Sequence, residues 1–89
     1  MKGPTMPNIS RFYGIVIKMF FARREHQPPH FHAVYGEYNG LFAIESLEMI
    51  EGDLPNRAMR LVKEWGERYR NELQTMWDSQ EFIQLPGLE

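Results

Sequence analysis

From Ile9 to Phe21 apolar residues recur at every second position: Ile9, Ile15, Ile17, Met19 and Phe21 share one face, with Ser10, Lys18 and Ala22 on the other. This period of two predicts a single strand over residues 9–21. Phe12, Val16 and Phe20 also fall on the second face, so the strand reads as a central one with both sides partly covered. Arg23 to Pro29 is polar and carries two prolines. A residue before proline is pushed out of the helical region, so this loop enters the next strand already extended. That strand, 30–35, sets Phe31, Ala33 and Tyr35 on one face and His30, His32 and Val34 on the other. Gly36-Glu37 is a turn signal, and Tyr38, Gly40, Phe42 and Ile44 line one face of a third strand over 38–44. A short fourth strand over 47–51 closes the meander.

The period then changes to that of a helix. Pro55 suits a first helical position, and Ala58, Leu61, Val62, Trp65, Tyr69, Leu73, Met76 and Trp77 recur at three- and four-residue spacing. Opposite charges four residues apart support it: Arg60 with Glu64, Lys63 with Glu67, Glu64 with Arg68. Gly66 costs ~1 kcal/mol relative to alanine within a helix, which predicts close contact with the sheet or a neighbouring chain. A helix over 55–78 is roughly 36 Å long, against ~24 Å for twice the radius of gyration of a chain this size. Its second half therefore needs a covering surface, supplied by a partner or by the apolar tail of Phe82, Ile83, Leu85 and Leu88, in its own chain or across a homodimer. The expected fold is α+β: a three- to four-stranded, mostly antiparallel sheet with one long C-terminal α-helix on one face. Residues 1–5 read as a disordered extension and 6–89 as one domain.

Composition removes several chemistries. The 89 residues contain no cysteine, which excludes disulfides, thiolate metal sites and a thiol nucleophile. No apolar run approaches the ~20 residues of a membrane span, and residues 1–7 show no targeting signal, so the expected location is the cytoplasm. The net charge of −2 hides a segregation. Residues 1–36 sum to +4, residues 37–54 to −5 with no basic residue, and the remainder to −1. A nucleic-acid binder usually adds overall basicity to its basic patch, and here there is only the patch.

The three histidines lie together in E-H-Q-P-P-H-F-H. His30 and His32 share a strand face with side chains about 6–7 Å apart, near the bite of a two-histidine metal site. His26 is a candidate third ligand for zinc or nickel, with Glu25, Glu37 and Glu45 as nearby acids. A second reading is acid–base or phosphate chemistry by His30 and His32, with Arg23, Arg24 or Lys18 holding an anion, as in a metal-independent ribonuclease. A third is a half-exposed strand whose histidines bond to loops or water. On the helix, Tyr69 and Trp77 combine apolar bodies with polar ends; they are core residues or, with Arg24, candidates for a protein interface. Ser10, Ser46 and Ser79 lack any nucleophile signature.

The segments M-P-N-I-S-R-F-Y-G-I-V-I-K-M-F-F, H-Q-P-P-H-F-H-A-V-Y-G-E-Y and L-E-M-I-E-G-D-L-P-N-R-A-M-R-L-V-K-E-W resemble a small bacterial family, domain of unknown function 4160, from Met6 to about Trp77. The resemblance implies no established activity. It implies a polar cluster at His26, His30 and His32, and membership in two-gene modules similar to toxin–antitoxin pairs, with a small protein encoded nearby as partner. Relatives tend to carry histidine where this chain has Tyr69, and asparagine or aspartate where it has Met76, so in them these helical positions can face the strand histidines. The expectation is an interaction or regulatory module rather than an enzyme, with the ribonuclease and the metal-binding module as alternatives.

Overall fold

The structure, a computed structural model, describes residues 8–19 and 28–88. Five strands run in chain order across one antiparallel sheet: β1 (Asn8–Phe12), β2 (Ile15–Lys18), β3 (His30–Tyr35), β4 (Tyr38–Ala43) and β5 (Met49–Asp53). A single helix, α1 (Asn56–Ser79), follows. The α+β class expected from the sequence is the one found, with five strands instead of three or four.

The extra strand comes from the first apolar segment, which is a hairpin and not one strand over 9–21. Tyr13 and Gly14 have φ of 50° and 81°, the two positive values of a type I′ turn, whose twist suits a tight hairpin. The turn removes two positions from the alternation and reverses its parity. Phe12 therefore stands opposite Ile15, on the core side, and Ser10 stands opposite Ile17. An irregularity between Asn8 and Ser10 lets Ile9 be buried beside Ser10. The rest of the expected strand, Phe20 and Phe21, lies outside the described residues.

Strand β3 has the expected bounds, and Tyr35 pairs with Tyr38 across the Gly36-Glu37 turn. The last strand begins later than expected, at Met49, because Leu47 has φ of 62° and its N–H bonds back to the Ala43 carbonyl. Leu47 is a buried plug. Its Cδ2 would lie 2.7 Å from a Cβ placed on Gly66, which accounts for the glycine: the close approach is to the β4–β5 connection of the same chain.

Pro55 proves to be the residue before the first helical turn, with ψ of 150°. The helix buries Ala58, Val62, Trp65, Leu73 and Met76 against the sheet, while Leu61, Tyr69 and Trp77 are partly buried beside them. Trp65 lies at the centre, its ring 5.6 Å from Phe12 and 5.8 Å from Phe31. Tyr69 has non-helical dihedrals (φ −115°, ψ 21°), a kink between the two halves of α1.

The mismatch between helix and core is resolved by shape. The molecule measures 34 × 25 × 25 Å, so its long dimension is comparable to the ~36 Å of a 24-residue helix. The tail turns back at Gln80, in the left-handed region, and Phe82, Leu85 and Leu88 pack on the core of their own chain. Leu85 N–H donates to the Ile9 carbonyl at 2.7 Å, and Trp65 Nε1–H donates to the Pro86 carbonyl at 2.8 Å. Helix length is thus no argument for a partner.

Candidate functional site

Alternation along β3 puts His30 and His32 on the face that does not carry Phe31 and Ala33. Lys18 pairs with His32 across β2 and Leu41 pairs with it across β4, so the row reads Lys18–His32–Leu41–Glu51 from one side of the sheet toward the other. The sheet face has a charge gradient with a histidine at its middle.

The extended chain before β3 fixes His30. Its Nδ1 lies 2.8 Å from the Pro28 carbonyl, which can only accept, so Nδ1 carries the proton and the neutral ring keeps a lone pair on Nε2. The His30 ring is 5.6 Å from that of His32 and 5.0 Å from that of Trp77. Burial first, then the proximity of His30 and of the Lys18 ammonium, pushes the His32 imidazole down from its ordinary 6.5 to about 4. At neutral pH His32 is uncharged and its Nε2 is buried.

Four of the residues singled out in the sequence therefore meet: Lys18, His30, His32 and Trp77. Arg23, Arg24 and His26 lie outside the described residues, as does Glu25. Tyr69 is elsewhere, its ring 5.6 Å from Trp65, and Met76 is buried with its sulfur accepting the Ile83 N–H. The helical residue that reaches the histidines is Trp77. The sequence pattern marks Trp77 as core or interface; nothing in the spacing of a helix tells which strand residue its far end will touch. The Pro28 carbonyl was also missed, although the two prolines before His30 were the signal that an extended backbone would hold it there.

The chemistry available to the cluster follows from its charges. Two imidazoles, one of them with Nδ1 committed as a donor, can accept protons or ligate a transition metal. Lys18 opposes a bound cation and favours an anion. Among the described residues no group of three or more histidine, aspartate or glutamate side chains is placed to hold a metal ion. Glu37 sits at the β3–β4 turn, the far end of β3 from His30.

A small antiparallel meander, backed by one long helix and carrying a strand histidine pair closed by a helical tryptophan, defines the class: an α+β domain with a polar cluster where the helix end meets the sheet. The chain belongs to the family described as Domain of unknown function (DUF4160), whose model matches residues 14–78, a range that includes all four clustered residues. No curated protein and no solved structure matches the chain. No helix among the described residues is long and apolar enough to cross a membrane.

Proposed function

We propose that this chain is a non-enzymatic interaction module, one component of a toxin–antitoxin-like or regulatory pair, acting in the cytoplasm through a small protein encoded beside it. The observation that carries the reading is the apolar surface left after the tail has closed over the core. Tyr13, Tyr38, Ile50 and Ile83 are large apolar side chains exposed on an 89-residue chain, and Ile83 borders an open groove of about 410 Å³ at the end of α1. Of the four, Ile83 lines the groove together with Met76, whereas Tyr13, Tyr38 and Ile50 stand singly on the sheet and its turns; an exposed apolar side chain beside an apolar-floored groove supports an interaction surface there. Co-expression with the neighbouring gene and purification through a tag on that neighbour tests the proposal. A stable one-to-one complex is expected; a chain that stays monomeric and separates from its neighbour's product overturns it.

A second reading is favoured by the locked tautomer of His30. With Nδ1 donating to Pro28, Nε2 of His30 is the ring atom left for chemistry, and beside His32 and the Lys18 ammonium it suits a histidine-dependent ribonuclease; a zinc or nickel ion would have to take the two imidazoles against the Lys18 charge. The ribonuclease predicts growth arrest on expression, relieved by His30→Ala or His32→Ala. The metal site predicts stoichiometric metal in untagged protein, lost in His32→Ala. Harmless expression and metal-free protein remove both.

A further inference from the structure

The groove at the end of α1 lies between the last turns of the helix and the returning tail. Its floor includes Met76, whose sulfur accepts the Ile83 N–H at 3.2 Å and so ties the tail to the helix. Ile83, on the tail side, is 57% exposed. Glu72 and Glu81 also line it. Neither carboxylate forms an ion pair among the described residues, where the ion pairs are Lys63–Glu48 and Arg70–Glu67.

The charged residues that line this groove, Glu72 and Glu81, are both acidic. From Asn71 to Glu89 the chain carries Glu72, Asp78, Glu81 and Glu89 and no lysine, arginine or histidine. All five bases that follow Pro55 precede Asn71: Arg57, Arg60, Lys63, Arg68 and Arg70. This order runs against the helix dipole, which favours acids in the first turn and bases in the last; α1 has neither, and Asp78 stands at its C-terminal end. Helix stability does not explain the acidic end. A cationic ligand would relieve it.

Resting on the reading of this chain as a protein-binding module, we infer that the groove is the docking site for a basic amphipathic segment of the partner. An apolar side chain of that segment sits against Met76 and Ile83, and flanking lysines or arginines face Glu72 and Glu81. The volume suits a few side chains. A second copy is a poor occupant, because a twofold contact through this surface would bring the two sets of carboxylates together. Charge complementarity of this kind makes association faster and salt-dependent.

The test uses the full chain and two synthetic helical peptides, one of leucine and lysine in amphipathic register and one of leucine and glutamate. Calorimetric titration should show the lysine peptide binding at least ~10-fold more tightly, with the difference shrinking as salt is raised. Glu72→Lys/Glu81→Lys should remove that preference. Glu51→Lys/Asp53→Lys, the same change of net charge on β5, should keep it. Ile83→Ser should weaken binding with the charge untouched, and it alone carries the test if the double variant does not fold. Equal losses from the two charge variants, or no effect of Ile83→Ser, overturns the groove. Co-purification with the neighbour's product separates the two levels: a complex that survives the groove variants overturns this docking site and leaves the module standing, whereas no complex with the wild-type chain overturns the module itself.

Discussion

Tyr13 holds φ at 50° with its side chain 55% exposed, an arrangement that costs an L-residue roughly 1–2 kcal/mol and gains little from packing. Asparagine tolerates this conformation and favours type I′ turns before glycine. Tyr13→Asn should therefore stabilise the fold by ~0.5–1 kcal/mol, read as a rise in the urea midpoint at unchanged slope. A residue's setting can also make stability depend on pH. His32 takes up a proton near 6.5 when unfolded but only near 4 when folded, so the unfolded chain binds more protons between these values. The stability this supplies is complete above about pH 6.5 and is lost as pH falls toward 4. Urea titrations at several pH values should show that loss, and His32→Gln should flatten it across the same window. A ring-proton titration by NMR that placed His32 near 6.5 would contradict the assignment.

At the scale of elements, what the sequence conveyed depended on whether a period stayed uninterrupted. The helix was legible because eight apolar residues from Ala58 to Trp77 keep one stripe over about five turns, and its bounds came within a residue of Asn56–Ser79. The first strand was misread because Ile9, Ile15 and Ile17 keep the same parity on both sides of a two-residue turn, and nothing but Gly14 announces the reversal. The last strand was displaced because Leu47, an apolar residue in a left-handed conformation, looks like a strand residue. In the site, alternation paired His30 with His32 correctly. Their contact with Trp77 depends on how α1 lies on the sheet, which no local pattern encodes. Glycine makes the same point at β5: Gly52 has φ of 108°, and a Cβ there would lie 2.6 Å from Gly40 Cα. Gly52→Ala should cost more than ~2 kcal/mol in thermal or urea unfolding, because strained dihedrals and a backbone clash combine. It should leave the His30–Trp77 contact intact, as judged by tryptophan fluorescence before the transition.

Taken whole, the molecule depends on its last residues more than their lack of regular structure suggests. Removing residues 81–89 would uncover the apolar surface under Phe82, Leu85 and Leu88 and leave Trp65 Nε1, whose indole is fully buried, without its acceptor. The lost apolar burial and the lost Trp65–Pro86 hydrogen bond act together, so the truncated chain should melt well below the full one in a thermal scan. Trp65→Phe, which removes only the N–H and part of the ring, should fall between them.

The hydrogen bond from Leu85 to Ile9 joins β1 to the segment that follows α1. On the ribosome, β1 must therefore wait at the margin of a growing sheet with an open row of backbone groups until the helix and the segment after it have emerged. Closure of that edge follows the making of the helix. During that interval an emerging neighbour or a chaperone can occupy the place that the returning segment will later take.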